Sequence, residues 1–190
     1  PSTMKSIDWG VFCESHENEY GGGECTCDSI RRIEIKGIAT WFNSNRFTER
    51  NHHVAAPYAD LYVNGDLLTD IVLPDTMARI RPALFYGCKK LHSVVFPNNL
   101  KVIDDCAFEN CTGIENLELP QGLDSIKSSA FSRCKGVKYV NLPQELKYIG
   151  MMAFGSCTEL ISVSFPNKLE NIAYGAFESC KSLQSVVLPE

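Results

Sequence analysis

Hydrophobic positions recur at an interval of 23 residues over the second two thirds of the chain, as from Phe85 to Phe108. Phenylalanine occupies one recurring position, at Phe85, Phe108, Phe131, Phe154 and Phe177. Cysteine occupies another, at Cys88, Cys111, Cys134, Cys157 and Cys180. Proline occupies a third, at Pro74, Pro97, Pro120, Pro143, Pro166 and Pro189. Because these registers agree without one insertion, the pattern predicts a stack of equivalent coils.

Within one repeat, such as LKVIDDCAFENCTGIENLELP, the apolar spacing changes from a helical period to a strand period. One face of a predicted short helix consists of Ile103, Ala107, Phe108 and Cys111. Leu117 and Leu119 then alternate with Asn116 and Glu118, which predicts a short strand. The proline that follows ends the strand, because proline cannot donate to a ladder. The sequence therefore predicts an α/β solenoid whose strands pair in parallel with their copies about 4.8 Å away.

The strand signature continues upstream with irregular spacing. Up to eight strands are predicted, beginning near residues 4, 30, 68, 91, 114, 137, 160 and 183. The pair Asn64-Gly65 between apolar flanks predicts a tight hairpin turn. We therefore divide one continuous solenoid into an irregular part, 1–60, with a long surface excursion at 37–60, and regular repeats at 61–190. The chain ends after a strand without a polar capping coil, so we expect that the parent chain continues or that another molecule covers this end.

Composition restricts the class of protein. With 18 Lys+Arg and 23 Asp+Glu, the net charge is 18 − 23 = −5, which excludes a strongly basic nucleic-acid surface. A hydrophobic content of 44% and a charged content of 22% are typical of a folded chain. The sequence contains neither an apolar run long enough to span a membrane nor the pattern of a signal peptide.

The motifs AFENC, AFSRC, AFGSC and AFESC, each followed by an apolar strand ending in Leu-Pro or Phe-Pro, resemble the BspA-like leucine-rich repeat family. LYVNGDLLTDIVLP resembles the segment that often introduces its regular coils. The resemblance covers 61–190 and implies a curved leucine-rich repeat solenoid, with the parallel sheet on its concave face and short helices or turns on its convex face. It also implies a secreted or surface-displayed protein used for adhesion. The implied partner is another protein, such as a host extracellular or surface protein, and the resemblance brings no catalytic residue and no cofactor.

The periodic cysteines are read as small inward-facing side chains rather than disulfides, metal ligands or nucleophiles. Adjacent coils would hold them about 4.8 Å apart, farther than the ~3.8 Å Cβ separation of a disulfide. A different cluster, Cys13, His16, Cys25 and Cys27, surrounds a glycine triplet in the irregular part. It is a candidate zinc site, but its spacing lacks a paired C-x-x-C pattern, so a disulfide or plain thiols are favoured over zinc.

An enzyme is the alternative to a binding protein. A hydrolase or metal-dependent site would lie in residues 1–60, but His52 and His53 have no nucleophile motif nearby, and no G-x-S-x-G or H-E-x-x-H occurs in the chain. Solvated surface histidines are therefore the favoured interpretation. A third possibility is a structural spacer that extends another domain.

The outward positions of the predicted strands form the candidate ligand-binding face, because alternate strand residues point to opposite sides. They are Arg32, Glu34, Asp70, Val72, Ser93, Val95, Asn116, Glu118, Tyr139, Asn141, Ser162, Ser164, Ser185 and Val187. Tyr139 is the aromatic residue among them and the expected hot spot, with Val72, Val95 and Val187 as lesser apolar contacts. The competing hypothesis is that the excursion around His52 and His53 binds the partner.

Overall fold

The computed structural model describes residues 32–35 and 60–189, which fall into two compact units divided between Leu68 and Thr69. Unit 1 contains three strands: β1 (Arg32–Ile35), β2 (Asp60–Val63) and β3 (Asp66–Leu67). β1 pairs with β2 in parallel, and β2 pairs with β3 in an antiparallel hairpin. The turn residues Asn64 and Gly65 have φ values of 54° and 96°, the left-handed conformation that an Asn-Gly hairpin turn requires. The predicted hairpin is therefore confirmed.

In unit 2, one set of strands repeats once per coil in the register that the sequence predicts. These strands are β4 (Asp70–Val72), β6 (Ser93–Val95), β8 (Asn116–Glu118), β10 (Tyr139–Asn141), β12 (Ser162–Ser164) and β14 (Ser185–Val187). All their ladders are parallel, with β4 paired to β6 and with β8, β10, β12 and β14 in one sheet. β6 lies beside β8, so the two sheets follow one another along the stack.

A second parallel sheet, which the sequence analysis missed, runs through the same coils. Its two-residue strands are β5 (Arg79–Ile80), β7 (Val102–Ile103), β9 (Ser125–Ile126), β11 (Tyr148–Ile149) and β13 (Asn171–Ile172). The isoleucines of the first four of these strands have no exposed surface, whereas Ile172, in the last coil, is 43% exposed. Arg79 clamps the buried carboxylate of Asp104 in the next coil through two hydrogen bonds, one of them 2.6 Å from Nη2 to Oδ1.

The predicted short helices are wrong: residues 32–35 and 60–189 contain strands and turns but no helix. In the coil that contains Phe108, residues 105–110 form consecutive turns. Cys106 and Asn110 have φ values of 56° and 63°, which a right-handed helix does not accommodate. The same two turn positions have positive φ in the neighbouring coils, for example at Ser129 and Arg133.

Hydrogen bonding between coils explains why turns replace the helix. The N–H groups of Cys106, Phe108 and Asn110 donate to carbonyl groups of the next coil, at distances of 2.9, 2.8 and 2.8 Å. The alternate N–H groups, such as that of Ala107, donate to the carbonyl three residues earlier in the same coil. Since a helix would direct all of these groups along its own axis, stacking between coils selects the turn conformation.

The core of unit 2 is a column of phenylalanine rings. Phe85, Phe108, Phe131 and Phe154 have no exposed surface, and consecutive rings stack with centroids 5.1 to 5.4 Å apart. Phe177 continues the column at 5.2 Å and is half-buried. A buried alanine precedes the phenylalanine in four of the coils, as Ala130 precedes Phe131, and Leu84 takes this position before Phe85. The repeat is therefore one layer of a continuous apolar core.

Candidate binding face

The outward side chains of unit 2 form what we call the strand face. It consists of Asp70, Val72, Ser93, Val95, Asn116, Glu118, Tyr139, Asn141, Ser162, Ser164, Ser185 and Val187. All are exposed except Ser162, which is half-buried. From β4 to β12 the alternation of inward and outward residues is thus as the sequence predicts, whereas all three residues of β14, in the last coil, are exposed. A role of the strand face in binding stays a proposal.

Tyr139 lies at the centre of a polar neighbourhood on the strand face. Its side chain is 54% exposed, and its Cα partners on the two adjacent strands are Asn116 and Ser162. Glu118 and Asn141 are the outward residues two positions further along β8 and β10. The exposed ring therefore stands among amide, hydroxyl and carboxylate groups that can orient a ligand through hydrogen bonds.

Val72 and Val95 form an apolar pair at the other end of the strand face. They are register partners on β4 and β6, and their side chains are 72% and 55% exposed. In the row of the strand face that contains them, the next outward residue is Glu118 on β8. The valine pair is therefore an exposed apolar patch with a carboxylate next to it.

Asp70 supplies a second carboxylate beside this pair. Its two oxygens accept hydrogen bonds from Thr69 Oγ1 at 2.7 Å and Ser93 Oγ at 2.8 Å. The hydrogen bond from Thr69, followed by that from Ser93, lowers the pKa of the Asp70 carboxyl below its ordinary value. Asp70 is consequently held as a fixed anion. This arrangement was not part of the sequence analysis, although the 23-residue separation of Asp70 and Ser93 places them in register.

The charge of the strand face is negative. Asp70 and Glu118 are its charged residues, and neither Lys nor Arg occupies any of its positions. Within the described part of the chain, the Glu118 carboxylate makes no hydrogen bond or ion pair. Lys138, which precedes Tyr139 in the chain, is paired with Glu115 at 3.9 Å. The two carboxylates of the strand face are therefore not neutralised by a cation within it.

The predicted outward residues of unit 1, Arg32 and Glu34, are exposed and engaged with each other. Arg32 Nη2 lies 2.5 Å from Glu34 Oε2, and its guanidinium lies 3.4 Å from the centroid of the Tyr62 ring. Glu34 also accepts a hydrogen bond of 2.7 Å from the N–H of Gly65. These contacts tie β1 to β2 and to the hairpin turn. All of these contacts lie within unit 1.

The periodic cysteines face the core, as predicted, and act as hydrogen-bond donors. The thiols of Cys111, Cys134, Cys157 and Cys180 donate to the carbonyls of Phe85, Phe108, Phe131 and Phe154, at 2.9, 3.1, 3.2 and 3.2 Å. Burial is the main cause that raises the pKa of each of these thiols, for Cys134 to about 12. Burial raises the pKa of Cys106 in the same way. A buried, protonated thiol is a poor nucleophile and a poor metal ligand.

The remaining candidates of the sequence analysis lie outside the described residues. They are the possible zinc ligands Cys13, His16, Cys25 and Cys27, the histidines His52 and His53, and the excursion up to residue 59. Within residues 32–35 and 60–189, no group of three or more His, Cys, Asp and Glu side chains is arranged to hold a metal ion. The same residues include no helix of the length and apolarity that a bilayer crossing needs.

An open groove of about 280 Å³ lies at the last coil. Its apolar lining includes Phe165, Leu169, Ile172 and Leu188. These are core positions of the repeat, and Ile172 corresponds to Ile149, which has no exposed surface. The groove is therefore an edge of the core layer.

Comparison with solved structures supports the class that this geometry defines, a leucine-rich repeat solenoid. A leucine-rich repeat protein of T. pallidum, TpLRR, is 25% identical over 93% of this chain and 79% of its own, with a TM-score of 0.62. A leucine-rich repeat protein from Bacteroides ovatus is 25% identical over 64% of this chain, with a TM-score of 0.50. This chain spans 37% of the length of the Bacteroides protein. A search of curated proteins gives no match.

The repeats identify the family. The BspA type leucine-rich repeat region matches residues 59–184 in six copies. The chain therefore belongs to the BspA-type leucine-rich repeat family, as the repeated AF-x-x-C motifs predict. The structure corrects the expected α/β class to a β-solenoid of about five turns.

Proposed function

We propose that this protein is a non-enzymatic scaffold that binds a protein partner on the strand face of unit 2. Leucine-rich repeats are consistent with a scaffold for protein interactions. The observation that carries the proposal is the exposed Tyr139 ring among outward Asn116, Glu118, Asn141 and Ser162. An aromatic anchor surrounded by hydrogen-bonding groups is typical of an interaction hot spot.

The proposal is tested by selecting displayed random 12-residue peptides on the full chain. We expect the selected peptides to bind Tyr139→Ala at least tenfold more weakly than the unmodified protein. Tyr174→Ala is the matched control, because Tyr174 is 82% exposed and lies outside the strand face. Equal losses in the two variants, or unchanged binding to Tyr139→Ala, would contradict this assignment.

Deletion of residues 44–53 tests the competing surface. Because His52 and His53 lie in the predicted excursion, a partner that binds there is lost on deletion and retained by Tyr139→Ala. We expect the opposite result. Circular dichroism and the urea midpoint of the deletion variant establish that the repeats remain folded.

We further propose that the protein acts in adhesion and is secreted or displayed at the cell surface. The family to which the chain belongs supports this location. Antibodies raised against the chain should label intact source cells, or detect the protein in the medium. Labelling that appears only after lysis would contradict the location without affecting the binding proposal.

A further inference from the structure

We propose that the part of the strand face between β4 and β10 binds a basic, extended segment of the partner. Lysine or arginine side chains of that segment lie over the Val72–Val95 pair and over the Tyr139 ring. This inference rests on the proposed function and specifies the chemistry of the partner. Three features of the strand face support it. They are an apolar valine pair with a carboxylate beside each valine, an exposed aromatic ring, and a net negative charge with no Lys or Arg in the face.

The valine pair and the carboxylates beside it suit the two parts of a basic side chain, which are its alkyl stem and its charged end. Lysine and arginine pack their alkyl stems on apolar surface while their charged ends stay in water or reach a carboxylate. Val72 and Val95 offer the apolar surface, since they are 72% and 55% exposed. Asp70 precedes Val72 by two residues on β4, and Glu118 follows Val95 on the adjacent strand. The valine pair thus offers an apolar surface for the alkyl stem, with a carboxylate next to each valine.

Tyr139 provides a second place for a cation. A cation over an exposed tyrosine ring is attracted by the ring quadrupole. This chain already contains such pairs, with Arg32 at 3.4 Å from the Tyr62 centroid and Lys127 Nζ at 4.8 Å from the Tyr148 centroid. At Tyr139 no cation of the described residues occupies the ring face in this way, and the ring is 54% exposed.

Charge selects a basic partner over an acidic or a purely apolar one. An acidic segment would face Asp70 and Glu118 with like charge, which lowers affinity. A purely apolar segment would cover the valines but leave the Glu118 carboxylate desolvated without a partner and the Asp70 carboxylate without a counter-ion. Asp70 remains charged because Thr69 and Ser93 both donate to it. A cationic segment pairs with the carboxylates and at the same time covers the valine pair with its alkyl stems.

The spacing of the two sites sets the spacing of the basic residues. The valine pair lies about two and a half strand intervals from β10, or ~12 Å, and two residues along the strands from the row of Tyr139, which makes the separation of the two sites ~14 Å. An extended peptide crosses this distance in about four residues, and its side chains at positions i and i+4 point to the same side. We therefore infer a partner segment in which two basic residues are separated by three others.

The test uses the full chain and four peptides of equal length, titrated by NMR at low ionic strength. The peptides are acetyl-SKSSSKS-amide, its analogue with both lysines replaced by glutamine, its analogue with both replaced by glutamate, and SSKKSSS with adjacent lysines. We expect the first peptide to shift the backbone amide signals of residues 70–72, 93–95, 116–118 and 139–141. The glutamine and glutamate peptides should leave these signals unchanged, and SSKKSSS should bind more weakly than SKSSSKS.

Variants assign the interaction to the strand face. Glu118→Gln should weaken binding of SKSSSKS about two- to fivefold, as expected for an exposed ion pair, and Glu118→Lys more strongly. Glu159→Gln, which removes an exposed carboxylate from a turn, is the matched control and should bind like the unmodified protein. Added salt should reduce binding to the unmodified protein and to Glu159→Gln.

Several outcomes would overturn the inference. One is equal binding of the lysine and glutamine peptides, and another is an equal effect of Glu118→Gln and Glu159→Gln. If the library-selected peptides need Tyr139 for binding but contain no lysine or arginine, the proposed function stands and this inference is wrong. If no selected peptide needs Tyr139 for binding, the proposed function is wrong.

Discussion

Each phenylalanine inside the ring column is packed on both sides by the same residue of an adjacent coil. Phe131 has no exposed surface and stacks on Phe108 at 5.3 Å and on Phe154 at 5.4 Å. Phe177 stacks on Phe154 and meets Phe165 edge-on at 5.6 Å, but it is half-buried. The contribution of a ring to stability therefore depends on its place in the column.

We expect Phe131→Ala to lower the free energy of unfolding by about 3–5 kcal/mol, because it removes a fully buried ring and leaves a cavity. Phe177→Ala should cost clearly less, since part of that ring is already solvated. Urea denaturation midpoints of the two variants measure the difference. Equal losses would contradict the stacked column.

The thiol of Cys134 makes stability depend on pH. Burial raises its pKa from an ordinary value of 9.0 to about 12, and its Sγ donates to the Phe108 carbonyl at 3.1 Å. The pKa of the Cys134 thiol is raised in the folded state. Its contribution to the free energy of unfolding is therefore fully present at a pH below the pKa of the thiol in the unfolded chain. Between the unfolded and the folded pKa the unfolded chain binds fewer protons than the folded chain, so stability falls as pH rises.

We therefore expect the unmodified protein to lose more stability between about pH 7 and pH 11 than Cys134→Ala does. Urea midpoints of both proteins at the two pH values give the contribution of Cys134 by difference, because the other thiols titrate in both. An identical loss in the two proteins would contradict the inward hydrogen-bonded thiol. Resistance of Cys134 to alkylating reagents until the protein unfolds is a second readout of the same burial.

At the level of elements, the sequence predicts the strands that carry the strand face and the Asn64-Gly65 hairpin turn, but neither the turns around the phenylalanine column nor the second sheet. Asn116 and Glu118 alternate with Leu117 and Leu119, and this local pattern survives in the structure as an exposed and buried alternation. The helical spacing of Ala107 and its neighbours was misleading, because backbone bonds to the next coil override the local preference. The two-residue strands of the second sheet are too short to show any alternation.

A substitution at a turn residue with positive φ tests this explanation. Ser156 has a φ of 60°, and the corresponding residue in the first coil is Gly87, with a φ of 72°. A residue with a Cβ costs about 1–2 kcal/mol in the left-handed conformation, whereas the freedom of glycine in the unfolded chain costs about 0.5–1 kcal/mol.

The first effect is the larger, so Ser156→Gly should raise the free energy of unfolding by about 0.5–1 kcal/mol. Ser156→Val should lower it, because β-branched residues are rarely found at positive φ. Thermal unfolding of both variants and the unmodified protein decides the order. Destabilisation by both substitutions would show that the serine side chain has a role that the turn geometry does not explain.

At the scale of the molecule, the repeat accounts for most of what the sequence revealed about the candidate site. Because the register is kept, the 23-residue period alone is enough to place every outward residue of unit 2, including Tyr139. The properties that depend on neighbours were less accessible. The fixed charge of Asp70 and the lack of a described partner for Glu118 arise from side-chain geometry between coils.

The same register predicts that a coil is a removable layer. Deleting residues 116–138 joins Glu115 to Tyr139 and removes one repeat of 23 residues, so every remaining residue keeps its position within its coil. β10 can then pair with β6, and Phe154 can stack on Phe108 in place of Phe131. Since stability in a solenoid is a sum of coil and interface contributions, the shortened protein should remain folded with a lower stability.

Deleting 22 residues, 116–137, is the matched control, because it shifts all later residues by one position. A shift of one residue turns each strand over, so Val140 would face solvent and Tyr139 the core. We expect the 23-residue deletion to unfold cooperatively with a smaller urea m-value, since less surface is exposed on unfolding. The 22-residue deletion should lose the cooperative transition, and similar behaviour of the two would contradict a stack held together by register.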